Sequence, residues 1–162
     1  MPAVSDTSPI TNLARIGQLE LLRKQFPILW IPFAVVEELS EHPAAASLAT
    51  IRTALRDWIH VGEAKNRELV RELSGTLDRG ESEAIALALE NHAEMLVLDE
   101  EDGRRVARRV GLEATGVLGI LLRGKQEGHI PAVGPEIVKL RQLARFYVAP
   151  ALEAHVLRLA GE

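Results

Sequence analysis

Nine acidic residues stand in four places along this chain where a carboxylate could do chemistry rather than solvate a surface. Asp6 closes the apolar stretch "AVSD" at the start. Glu37 and Glu38 follow the stretch "ILWIP". Glu81 and Glu83 open "GESEAIALALE", and Asp99, Glu100, Glu101 and Asp102 follow "MLVL". Carboxylates gathered into one pocket repel, and a divalent cation is the usual means of keeping them ionised together. Oxygen ligands without His or Cys select a hard ion, Mg²⁺ or Mn²⁺. Such an ion acidifies a bound water and stabilises charge on a phosphodiester during displacement. Each acid also has a structural reading. Asp6 and Asp99 can cap the helices that follow them, and the glutamates of "GESE" can face a helix's positive end.

What would position these groups is a set of short strands separated by helices. "AVSD", "ILWIP", "MLVLD" and a short "LEAT" read as strands, with a kink or a further strand near "WIHVG" in an otherwise helical stretch from Ala44 to Leu73. After the first strand, Ser8 as cap and Pro9 at the first turn start a helix that carries Ile10, Leu13, Ala14 and Ile16 and stops at Gly17. Pro32 opens the helix of "FAVVEELSEH", and Ala84, Ile85, Ala88 and Leu89 recur at helical spacing in the one after Gly80. Val106, Ala107 and Val110 form the inward face of "EEDGRRVARRVG". Helices over "GVLGILLRGKQEG", "EIVKLRQLA" and "ALEAHVLRLA" complete the chain.

Strands this apolar, alternating with helices, imply a three-layer α/β/α sandwich around a mainly parallel sheet. In such folds the ligand crevice lies beyond the carboxyl ends of the strands, where Asp6 and Asp99 both fall. The expected organisation is one domain over residues 1–162, with a core at about 3–130 and a helical extension at 131–162.

The composition narrows the alternatives. The chain has no cysteine, which excludes disulfides, thiolate metal sites and thiol nucleophiles. Its five histidines, at positions 42, 60, 92, 129 and 155, show no ligand-like pairing, and its glycines form neither a Walker loop nor a dinucleotide fingerprint. A net charge of -4 argues against a generically basic nucleic-acid binder. "MPAVSDTSPIT" lacks the pattern of a secretory leader, and no apolar run approaches the ~20 residues that cross a bilayer, so a cytoplasmic protein without membrane contact is expected.

Four pieces, "VSDTSPITNLARIGQLELL", "IPFAVVEEL", "LDRGESEAIALALE" and "LVLDEEDGRRVARRVGLEATGVLGILLRGKQEGHI", stand in the order and spacing of a PIN-domain protein, and the chain resembles the small prokaryotic group near the toxin nucleases. That resemblance implies an acidic cluster binding Mg²⁺ or Mn²⁺ and metal-dependent cleavage of single-stranded RNA, often as the toxin of a toxin–antitoxin pair. It implies Asp6, Glu38, Glu81 and Asp99 as metal-binding and catalytic residues, with Ser8, Glu83, Glu100 and Asp102 as outer partners. The toxin branch usually has aspartate at the position of Glu81, and often a Thr-x-Asp pattern that the chain lacks at Asp99. The alternative expectation is a PIN-fold binding module with weak or no catalysis, acting through a partner protein.

In "GRRVARRVG", Arg104 and Arg108, and likewise Arg105 and Arg109, stand one helical turn apart and are candidate contacts for RNA phosphates. They can equally pair with nearby glutamates on a solvated face. Aromatic residues make up only 4% of the chain, so little base stacking is expected. The amphipathic C-terminal segment suggests packing on the core or a homodimer, and an antitoxin protein is the other expected partner.

Overall fold

In the computed structural model, residues 2–41 and 45–162 are described. His42 and Ala44 therefore lie outside the described residues. β1 (Pro2–Ser5), α1 (Thr7–Arg15), α2 (Glu20–Gln25), β2 (Ile28–Pro32), α3 (Phe33–Ser40), α4 (Ala45–Asp57) and β3 (Ile59–Gly62) form the first half. The second half comprises α5 (Arg67–Leu73), α6 (Arg79–Glu90), β4 (Met95–Val97), α7 (Glu101–Arg109), β5 (Glu113–Thr115), α8 (Val117–Gln126), α9 (Gly134–Leu143) and α10 (Pro150–Leu159). The segment at "WIHVG" is thus a strand with a helix on either side. It pairs with β2 from Leu29↔Ile59 to Pro32↔Gly62.

All pairs in the sheet are parallel, in the order β3-β2-β1-β4-β5. Strand residues alternate between two apolar layers, as a pleat of period two requires. Ala3, Leu29, Ile31 and Val97 enter one cluster with α1, α2, α4 and α8. Val4, Leu96 and Leu98 enter the other, with Ile85 and Leu87 of α6 and Ala107 of α7. Helices cover both faces, and the fold is the expected three-layer α/β/α sandwich. Each fully buried leucine or isoleucine in these layers contributes roughly 1.5–3 kcal/mol. Val110, expected to face inward, lies beyond the end of α7 and is exposed.

The strand order locates the crevice. From β1 the chain builds outward to β2 and β3, then returns through α6 to place β4 on the opposite side of β1. The order therefore reverses between β1 and β4, and loops leaving their carboxyl ends diverge to leave a gap. Ladder bonds run one residue past the strands here: Asp6 N–H donates to Val97 O at 3.0 Å, and Leu98 N–H to Thr115 O at 2.7 Å. The backbones leading to Asp6 and Asp99 are fixed by these bonds.

The C-terminal helices join the first layer through Ile137, Leu140, Ala144, Val148 and Val156. Among the described residues no helix is long and apolar enough to cross a membrane. Glu162 ties the end of the chain down. Its carboxylate accepts the backbone N–H groups of Val133 at 2.7 Å and Gly134 at 3.1 Å, which the start of α9 leaves without helical partners, and the Lys125 ammonium at 3.0 Å. Glu162→Ala is expected to speed hydrogen exchange at the Val133 and Gly134 amides and lower the melting temperature, with Glu162→Gln falling between. Unchanged exchange at both amides would show that the tie holds nothing.

Candidate metal and acidic site

Asp6 is 4% exposed and carries the strongest electrostatic perturbation of the acids at this edge. The first helix begins at Thr7, two residues earlier than the Ser8-Pro9 reading, because Asp6 itself takes the extended cap conformation. Its side chain makes no capping bond, and among the described residues its Oδ1 has no hydrogen-bond partner. Burial pushes its carboxyl up to about 7; the Thr7 backbone N–H opposes this, while Asp78, Glu38 and Glu81 push further in the same direction.

Glu38 approaches Asp6 from α3. The Thr7 hydroxyl donates to Glu38 Oε2, and Glu38 Oε1 faces Gly80 of α6. A side chain at position 80 would put its first carbon 2.8 Å from Glu38 Oε1, 3.0 Å from Asp6 Oδ1 and 3.5 Å from Asp78 Oδ1. Glycine thus keeps an opening around which three acids stand. Glu37 points elsewhere, pairing with Arg79 at 2.7 Å on the surface.

Glu81 and Asp78 form a capping box at the start of α6: Asp78 Oδ1 accepts Glu81 N–H at 2.8 Å, and Glu81 Oε2 accepts Asp78 N–H at 3.1 Å. The second oxygen of Glu81, Oε1, is buried without a partner, 3.0 Å from where a side chain on Gly103 would begin. Burial raises the Glu81 carboxyl, the Asp78 N–H opposes this, and Asp78, Glu100 and Asp102 add to the rise. Asp78 did not figure among the candidates; its signal is the D-x-x-E spacing of "DRGE", a helix start that also sets a charge beside Asp6. Glu83 has a different employment. Its Oε2 accepts the Ala34 N–H at 2.9 Å and its Oε1 the Arg67 guanidinium at 2.8 Å, so both oxygens are engaged in holding α3 and α5 to α6.

Asp99 lies two residues beyond β4. Its Oδ1 accepts the Val117 N–H at the start of α8 at 2.7 Å, and its Oδ2 the Ser8 hydroxyl at 3.3 Å. Asn12, one turn further along α1, donates to Ser8 Oγ at 3.1 Å. Ser8 therefore links the first turn after Asp6 to Asp99, and Asn12 is a partner that i, i+4 spacing from Ser8 could have revealed. Burial raises the Asp99 carboxyl against the Val117 N–H, the Ser8 hydroxyl, Arg104 and Asn12. Glu100 occupies the exposed cap position of α7, while Asp102 pairs with Arg105 at 3.2 Å. The arginines divide. Arg104 and Arg108 line a cleft of about 360 Å³ together with Asp99, whereas Arg105 and Arg109 line another of about 230 Å³ with Asp102.

Among the described residues, no three acidic or histidine side chains are gathered closely enough to hold a metal ion as they stand. Glu38 and Glu81 each have one oxygen drawn to a donor of the protein, and Asp99 has both, as like charges without a counter-charge would be. The donor set nevertheless fits a hard cation. All the groups are oxygens, Asp6 Oδ1 and Glu81 Oε1 are buried without partners, and Gly80 leaves open the space flanked by Asp6 and Glu38.

A family model, DUF3368, described as a PIN domain, matches residues 2–162. No curated protein matches the chain.

The raised Asp6 carboxyl makes stability depend on pH. Its folded value of about 7 lies above the unfolded value of about 3.9, so the native chain holds the proton more tightly. The associated stability is fully present below about pH 4 and is lost as pH rises through about 7. Asp99 and Glu81, also raised, act in the same direction. In metal-free buffer the melting temperature should fall as pH rises from about 4 to about 7 and level off above that. Asp6→Asn should reduce that fall and stabilise the chain at pH 8 by on the order of 2–4 kcal/mol. Thermal melts with parallel pH slopes for both proteins would refute the assignment.

Proposed function

The chain belongs to the PIN-domain family, whose members are generally nucleases, and on that premise we propose that it is a Mg²⁺- or Mn²⁺-dependent endoribonuclease cleaving single-stranded RNA. The observation that carries this reading is the buried, unpartnered oxygen of Asp6 beside Glu38 at the opening left by Gly80, at the β1–β4 switch point. Asp6, Glu38, Glu81 and Asp99 would hold the ion. When bound, it supplies positive charge against the developing charge of a phosphodiester and brings the acidity of water into the neutral range.

The remaining roles belong to the chain's own side chains. Ser8, held by Asn12, orients the Asp99 carboxylate, and Val117 N–H fixes its other oxygen. Gly80 excludes any side chain that would separate Asp6 from Glu38. Arg104 and Arg108 offer donors to the RNA backbone from the cleft that includes Asp99. The burial of Asp6 and the partial burial of Asp99 strengthen the charge interactions they make.

A toxin role with an antitoxin protein is part of the proposal and rests on the likeness to the toxin branch; it requires a small partner encoded beside this chain. Homodimerisation is proposed on Val138, Leu143 and Leu159, which α9 and α10 leave exposed; light scattering giving the mass of a single chain would remove it. The second reading, a PIN-fold module without strong catalysis acting through a partner protein, is favoured by the absence of a ready cluster of three ligands among the described residues.

Asp6→Asn and Asp99→Asn are each expected to slow cleavage of a mixed-sequence RNA at least about a hundredfold, equivalent to about 2.7 kcal/mol in the barrier. Chelation should abolish cleavage and Mn²⁺ restore it. If calorimetry detects no Mn²⁺ binding at millimolar concentration and purified chain leaves RNA intact, the module reading replaces the nuclease.

A further inference from the structure

The cleft beside Asp99 takes one wall from the C-terminal segment. Arg104 and Arg108 of α7 line it together with Gly116, Phe146, Tyr147 and Leu152. Its volume of about 360 Å³ falls within the roughly 300–1,000 Å³ of small-molecule pockets. Tyr147 is the chain's sole tyrosine and is 81% exposed, while the adjacent Phe146 is half-buried against the first apolar layer.

This aromatic pair stands on a braced turn. Arg145 adopts the left-handed conformation at φ 51°, which costs an L-residue about 1–2 kcal/mol. Phe146 N–H donates to Leu140 O at 3.0 Å, and Val148 is buried directly after Tyr147. The exposed ring is therefore carried between two anchored neighbours. On its other side the pair borders a second depression lined by Arg141 and Arg145.

Cationic groups lie on both sides of the rings. Glu101 receives Arg104 at 2.8 Å on one oxygen and Arg108 at 3.9 Å on the other, so the two guanidinium groups converge on an exposed carboxylate that a phosphate would have to displace. Arg145 makes no ion pair among the described residues. Flat apolar faces flanked by phosphate-gripping side chains match an unpaired nucleotide: bases stack on aromatic rings, and arginines follow the backbone. Arg141 pairs with Glu153, so Arg145 is the cation beside the rings that a bound phosphate would match and an apolar protein side chain would not.

We propose that Tyr147, backed by Phe146, is a stacking platform for an unpaired base of the RNA strand, beside the phosphate-handling site at Asp99, with Arg104 and Arg108 gripping an adjoining phosphate. The platform makes the substrate class single-stranded, since a base paired in a duplex has no free face to offer. It rests on the nuclease reading of the Asp6 pocket, yet its test does not require cleavage.

Binding of a fluorescein-labelled, mixed-sequence RNA of about 12 nucleotides is measured by anisotropy in EDTA, alongside an abasic strand of equal length. Tyr147→Ala should weaken binding of the full RNA at least about fivefold. Tyr147→Phe should retain it, and the abasic strand should bind both variants alike. Because the side chain is exposed, a thermal melt should find Tyr147→Ala folded. Unchanged affinity, equal loss on the abasic strand, absence of RNA binding by the unaltered chain, or a shift in molecular mass on mutation would each overturn the platform, the last by making this surface a protein interface. Base-dependent binding without cleavage in Mg²⁺ or Mn²⁺ would support the platform and sink the nuclease. Undiminished affinity in a Tyr147→Ala protein that still cleaves would do the reverse.

Discussion

Asp6 has been taken out of water in the company of Asp78, Glu38 and Glu81, and among the described residues no cationic side chain is paired with it. An isolated buried carboxylate is strongly unfavourable unless it is paired, hydrogen-bonded or protonated. Ordinary folding would move such a group outward or give it an arginine. Here the nearby arginines are committed to other acids: Arg79 pairs with Glu37 and Arg67 with Glu83. The surrounding elements are arranged around that buried carboxyl. β1 and β4 hold its backbone, α1 begins at it, and α6 presents a glycine to it.

The sheet makes this arrangement possible. Parallel strands buried on both faces bring distant parts of the chain to one edge without exposing apolar surface. The reversal of strand order between β1 and β4 leaves room there for side chains from α3 and α6 as well. Ser8 then connects the two strand ends through a hydroxyl to Asp99, and Asn12 steadies that hydroxyl. Most of these contacts are between residues far apart in sequence, so geometry at the site depends on packing in both apolar layers.

The larger part of the architecture was legible because apolar runs and helix signals declare themselves locally. "ILWIP", "MLVL" and the repeat of Ala84, Ile85 and Ala88 needed no tertiary knowledge. β3 was harder, since "IHVG" is short and only its pairing with β2 distinguishes it from a kinked helix. At the edge of the sheet, residue type indicated carboxylates but not their commitments. Glu83 and Glu81 look alike in "GESE", and their difference comes from Arg67 and Ala34, which approach Glu83 from α5 and α3. The start of α1 was displaced because Ser-Pro is a strong cap signal, yet Asp6 already had the extended conformation that ends β1. The wall formed by Phe146 and Tyr147 could not be read at all, because nothing local ties residue 147 to residue 99.

Glu81 divides its carboxylate between two duties. One oxygen closes the N-terminal turn of α6 through Asp78, and the other remains unengaged in the interior. A glutamate can do both because its extra methylene spans from the helix axis back to its own cap while leaving the far oxygen directed elsewhere. An aspartate, one carbon shorter, would have to choose between securing the helix and facing the acids. The longer side chain at this position therefore couples the integrity of a helix to the chemistry at its tip, so that anything drawing on the free oxygen is felt along α6.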